Sequence, residues 1–157
     1  MRPASCRKAL GVVRGNHAAK SNHNSMGDRA NIVIKSRVHM QYVPLFIYSH
    51  WDGLGGMFEK LKKAMQRKQR WHDESYLTRI IFETVISSDP GSENGFGIGL
   101  SMPDNQYPFL VVDVNEQSIY LVGEDEDGEF DPGMRPIKSW TFEEFTTATL
   151  EWEVIQA

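Results

Sequence analysis

The fold is decided by two β-branched runs near the start of the chain, Ala30-Asn-Ile-Val-Ile-Lys-Ser36 and Val43-Pro-Leu-Phe-Ile-Tyr-Ser49. Such runs are typical of β-strands, and Pro44 stands near a strand start, where a missing backbone donor is tolerated. The connection between the runs is short, which predicts an antiparallel hairpin. If the turn lies near residues 38–41, the sequence numbers of two residues that pair across the hairpin add up to about 78–79.

Helical periodicity follows the hairpin. From Gly56 onward, apolar residues recur on one helical face and basic residues cover the other. The apolar positions are Met57, Phe58, Leu61, Ala64 and Met65. Asp73 is placed to cap a second helix that ends near residues 87–91. Its predicted buried stripe is Tyr76, Leu77, Ile80, Ile81, Thr84 and Val85.

The second half of the chain returns to strand patterns. We predict strands at 96–101, 109–114 and 118–122, a loop at 124–133 and a last edge strand at 149–155. Thr141 and Glu144 form a capping box, and Trp140 and Phe145 a hydrophobic staple, so a short helix starts there. The fold class is α+β: a mostly antiparallel sheet with helices packed on one face, in a single domain over residues 26–157.

Charge is distributed unevenly along the 157 residues, which carry 17 basic and 21 acidic side chains. Residues 1–25 hold five of the basic groups and no acid, whereas residues 104–157 hold 13 of the acids. The net charge of -4 argues against a general nucleic-acid coat or a polybasic membrane binder. The single cysteine, Cys6, excludes an internal disulfide, and no apolar run approaches the roughly 20 residues of a membrane span.

Residues 1–25 are small, polar and without hydrophobic period, so we expect a disordered arm or an upstream extension. Met26 follows directly and is the expected functional start. The domain would then begin at Met26.

The hairpin register brings two polar stretches together at one end of the sheet. Asp28 and Arg29 fall beside His50, Trp51, Asp52 and Gly53. A glycine-rich loop, Gly53-Leu-Gly-Gly56, leads from there into a helix, and such a junction can bind an anion through free backbone amides. Under this hypothesis Arg29 binds a phosphate or carboxylate group, and Asp52 orients the His50 side chain.

Structural roles account for the same residues equally well. Asp52 fits the N-cap position of the helix, and Trp51 fits a side chain that fills the core. Asp28 and Arg29 fit an ordinary ion pair. Asp113, in an otherwise apolar strand, is either outward-facing or a buried partner for an arginine such as Arg79. No catalytic residue, metal site or cofactor is expected, because the sequence contains no nucleophile motif and no ligand spacing.

Several segments resemble a family of small, uncharacterised proteins of bacteriophages and bacteria. The matching segments are Met26-Gly-Asp-Arg-Ala-Asn-Ile-Val-Ile34, Tyr48-Ser-His-Trp-Asp-Gly53, Trp71-His-Asp-Glu-Ser-Tyr-Leu-Thr-Arg-Ile-Ile-Phe82, Gly95-Phe-Gly-Ile98 and Asp104-Asn-Gln-Tyr-Pro-Phe-Leu-Val-Val-Asp113. The resemblance covers most of residues 26–145. Ser49 and Asp52 depart from the family's threonine and glycine. The resemblance implies a phage accessory protein and brings no known activity.

Two functions are therefore expected. The first is an accessory binding protein of phage type that acts on a host macromolecule, with a host protein as partner. The alternative is a protein that binds or hydrolyses a nucleotide or phosphate-like anion at the 28–29/49–56 junction. In either case we expect a cytoplasmic protein without nucleic-acid or membrane partners.

Overall fold

The computed structural model describes residues 27–38 and 41–152. Within them, six strands form one mixed sheet of order β3-β2-β1-β4-β5-β6. Only β1 and β4 run parallel among these pairs. The strands are β1 Ala30–Val38, β2 Gln41–Ser49, β3 Phe96–Gly99, β4 Phe109–Asp113, β5 Ser118–Val122 and β6 Lys138–Thr141. The helices are α1 Gly53–Gln66, α2 Glu74–Ile86 and α3 Phe142–Phe145.

The β1–β2 hairpin has the predicted register. Ala30 pairs with Ser49 and Val38 with Gln41, so each pair of residue numbers sums to 79. The expectation for residues 1–25 falls outside the described residues, as do residues 39 and 40 of the hairpin turn.

The three helices cover one face of the sheet, which confirms the α+β class. Alternate residues of β1, β2, β4 and β5 point into this layer because side chains alternate along a strand. The fully buried members of this core include Ile32, Ile34, Ile47, Leu54, Met57, Phe58, Leu61, Leu110, Ile119, Phe142 and Phe145. Burial of this apolar surface is the main force holding the helices to the sheet.

Loops cover the other face of the sheet. A smaller core of Val33, Phe46, Phe109, Val111, Tyr120 and Val122 lies there, with Met102, Phe130 and Met134 packed against it from the loops. The acidic loop at 124–131 therefore lies on the side opposite the basic helix α1.

Some predicted boundaries are wrong. Residues 53–56 form the first turn of α1 rather than a loop, because Gly53 adopts φ +57 and turns the chain directly into the helix. Tyr76 is 48% exposed instead of buried in α2. The sequence also missed β6, a short edge strand. Residues 149–152 are not in a strand, and 153–155 lie outside the described residues.

Candidate functional site

The structure brings Asp28, Arg29 and residues 49–53 together at one end of the sheet, as the register predicts. Beyond the last paired residues, the amide of Asp28 donates to the carbonyl of His50 at 2.8 Å. The amide of Gly53 donates to the carbonyl of Asp28, also at 2.8 Å. The chain entering β1 is thus bonded to the turn that starts α1.

Asp28 is held between Gly53 and Tyr107. Its Oδ1 accepts a hydrogen bond from the Tyr107 hydroxyl at 2.5 Å, and this bond, with burial, raises the pKa of Tyr107. A Cβ on Gly53 would lie 2.4 Å from Asp28 Oδ2, so the carboxylate is in direct contact with the glycine. The close approach and the positive φ both require glycine here.

Arg29 is committed to the loop that precedes β4. Its guanidinium forms an ion pair with Asp104 at 2.9 Å, and its backbone amide donates to the Gln106 side chain at 2.9 Å. Among the described residues, Arg29 Nε is buried without a hydrogen-bond partner. The arginine therefore ties two segments together, but the expected ion pair between Asp28 and Arg29 is wrong, because the partner of Arg29 is Asp104 and Asp28 bonds to Tyr107 instead.

His50 and Trp51 form an aromatic pair at the surface. His50 Nδ1 lies 2.8 Å from the Tyr48 hydroxyl, and its ring covers Gly27. The Trp51 ring meets His50 edge-on with centroids 4.3 Å apart, and it rests on Gly95. Trp51 is nevertheless 58% exposed, so the expectation that its side chain fills the core is wrong.

Asp52 neither caps α1 with its side chain nor bonds to His50 in the structure. Its Oδ2 accepts hydrogen bonds from Ser49 Oγ and from Lys60 Nζ, both at 2.7 Å. Lys60 also donates to the Val85 carbonyl at 2.9 Å. Asp52 thus links the end of β2 to α1 and, through Lys60, to α2.

Sequence reasoning missed the residues that complete this site from distant segments. Asp104, Gln106 and Tyr107 lie in the loop that precedes β4, and they supply partners for Arg29 and Asp28. Trp152 closes the site from the C-terminal side, with its ring against Gly55. A polar loop gives no local signal for contacts made across more than 70 residues.

A second polar group lies on the loop-covered face. Asp113, fully buried, forms an ion pair with Lys35 at 3.0 Å, not with Arg79, which pairs with Glu83. Burial alone would lower the pKa of Lys35. The hydrogen bond to Asp113 and the nearby negative charge outweigh this effect, so the pKa of Lys35 lies above its ordinary value. The pair lies in an open cleft of about 470 Å³. Its lining also includes Glu116, Ser118, Tyr120, Met134 and Ser139.

Comparisons with protein-family models, with curated proteins and with solved structures give no match for this chain. Over residues 27–38 and 41–152, no helix has the length and apolar character that a membrane crossing requires. The assignment of function therefore depends on the chemistry of the surfaces described above.

Proposed function

We propose that this chain is a binding protein that acts on a host macromolecule in the host cytoplasm, as a phage accessory protein would. The contact surface in this proposal is centred on Trp51, with His50 beside it. The observation that supports it is an indole that is 58% exposed while the charged groups around it are already paired.

An exposed tryptophan held in one position is well suited to binding a protein. Tryptophan is enriched among the residues that contribute most to protein interfaces. The contacts of Trp51 with His50 and Gly95 restrict its ring before any partner arrives. Little side-chain freedom is then lost on association, which favours affinity.

The alternative, an anion bound at the same junction, has less support from the geometry. Arg29 is paired with Asp104, and the amide of Gly53 is used by the Asp28 carbonyl. The Asp52 carboxylate also stands at the start of α1, where it holds Lys60 in an ion pair and leaves that cation unavailable to an anion. An anion would have to displace these contacts before it could bind.

The test is affinity capture with the full chain immobilised, at physiological salt, from a bacterial lysate. Trp51→Ala is compared with Leu100→Ala, which truncates an apolar side chain just after β3 that is 66% exposed, slightly more than Trp51. We expect a retained host protein that is lost with Trp51→Ala and kept with Leu100→Ala, while both variants melt like the parent.

Two results would contradict the proposal. One is that no host protein is retained by the parent chain, and the other is that Trp51→Ala retains it equally well. Native and denaturing masses of the purified chain address the alternative, because a small ligand bound tightly adds mass only under native conditions.

A further inference from the structure

We propose that the helical layer carries a second docking surface, separate from Trp51, for an acidic segment of a partner protein. We call it the basic helical face, and its residues are Lys63, Arg67, Lys68, Arg70, Tyr76 and Arg79. It extends from the C-terminal half of the 14-residue α1 across the following turn to α2, and its first residue, Lys63, is roughly 15 Å along the helix axis from the turn that holds Trp51. This inference goes beyond the proposed function, because it would still hold if Trp51 were found to bind no host protein.

The first argument is that two cations have no counter-charge. Lys63 and Arg67 are exposed, one helical turn apart, and line a groove of about 230 Å³ between α1 and α2. Neither forms an ion pair with another residue in 27–38 or 41–152. Glu83 also lines the groove, but its carboxylate is already paired with Arg79. The groove thus presents uncompensated positive charge.

The second argument comes from the turn between the helices. Lys68 and Arg70 have positive φ values of 51° and 57°, a conformation that glycine adopts without steric cost. The backbone of this turn would therefore be more relaxed with glycine at either position. The chain nevertheless carries two exposed cations there, close in sequence to Arg67, and they also pair within the chain, Lys68 with Glu143 and Arg70 with Asp73.

The third argument is the environment of Tyr76. Its exposed ring lies between two guanidinium groups, with Arg70 Cζ 4.7 Å and Arg79 Cζ 5.9 Å from the ring centroid. Tyrosine and arginine are the residue types that recur at the energetic centres of protein interfaces.

The pattern of charge favours a protein over a nucleic acid. Asp73, Glu83 and Glu143 are interleaved with the cations and pair with Arg70, Arg79 and Lys68. A continuous phosphate backbone would pass close to these carboxylates and be repelled. A protein segment can place single carboxylates opposite Lys63 and Arg67 and avoid the three acids.

The experiment measures fluorescence anisotropy of a labelled oligoglutamate peptide and of an oligothymidylate of matched charge, each with the full chain at low salt. The double variant Lys63→Glu/Arg67→Glu is compared with Arg135→Glu/Lys138→Glu, which makes the same change in charge at two residues outside the basic helical face. We expect the peptide to bind more tightly than the oligonucleotide. Its affinity should fall about tenfold or more in the first variant and change little in the second. Tyr76→Ala, which keeps both unpaired cations, should also weaken binding.

The proposal is overturned by no binding of the peptide, by tighter binding of the oligonucleotide, or by equal loss in the two double variants. Unchanged affinity in Tyr76→Ala would overturn it as well, because general attraction between opposite charges does not need the ring. Thermal melts of all variants check that each one is folded.

Discussion

Gly53 offers the sharpest test of how the end of the sheet is held together. In Gly53→Ala the alanine must adopt φ +57, which costs roughly 1–2 kcal/mol for a residue with a Cβ. The new Cβ would also lie 2.4 Å from Asp28 Oδ2 and 2.6 Å from Asp28 Cγ. Asp28 can retreat only by loosening its hydrogen bond to Tyr107, and such overpacking costs about 1–3 kcal/mol. We expect the free energy of unfolding to fall by about 2–5 kcal/mol in total.

Urea denaturation followed by circular dichroism measures this loss. Gly91→Ala is the matched control, because a Cβ there meets nothing within 4 Å, and it should stay within about 0.5 kcal/mol of the parent. In an Asp28→Ala background, Gly53→Ala should cost only the backbone part, about 1–2 kcal/mol. The reasoning is refuted if Gly53→Ala is neutral, or if its cost is undiminished when Asp28 is truncated.

Three further predictions concern other parts of the molecule. Lys35→Met should lower the free energy of unfolding by about 3 kcal/mol because Asp113 is left buried and unpaired, whereas Lys35→Met/Asp113→Leu should cost about 1 kcal/mol or less. Lys68→Gly should stabilise the chain by about 0.5–1 kcal/mol, since it relieves a positive φ, and a higher Tm would show it. Stability should also fall as the pH rises above about 10, because four groups have raised pKa values and the native state holds their protons more tightly than the unfolded chain. These groups are Lys35, Tyr48, Tyr107 and Tyr120.

Each of these has an outcome that counts against it. Equal losses in the single and double variants of the Lys35–Asp113 pair would mean that packing, not the unpaired charge, sets the cost. A lower Tm in Lys68→Gly would mean that its exposed contact with Glu143 outweighs the backbone strain. For the pH dependence, urea midpoints that are the same at neutral pH and above pH 10 would contradict the direction.

The hairpin register could be predicted from sequence because it depends on two local patterns and a short turn. From that register alone, Asp28 and Arg29 were expected beside His50, and the structure has them there. Capping at Asp73 and the capping box at Thr141 were equally predictable, since each depends on residues within one helical turn.

The rest depends on contacts that no local pattern encodes. The glycine-rich stretch at 53–56 predicts a loop that leads into a helix, yet Gly53, with a φ of +57, is the first residue of α1. Tyr76 fits the apolar stripe by spacing, but it faces outward between two arginines. The partner of Asp113 came from β1 instead of α2, because the parallel β1–β4 pairing could not be read from either strand alone.

The parallel pairing of β1 with β4 has a consequence for the order of folding. Five of the six described strands form two local pieces, the β1–β2 hairpin and the β4–β5–β6 meander, whose strands are close in sequence, and β3 adds to the hairpin from a later segment. They join along one seam where partners such as Ile32 and Leu110 are 78 residues apart. Long loops close slowly, so we expect both pieces to form first and the closing of the seam to limit the folding rate. Lys35 and Asp113 pair at one end of this seam, so their ion pair belongs to the last step by which the two halves become one sheet.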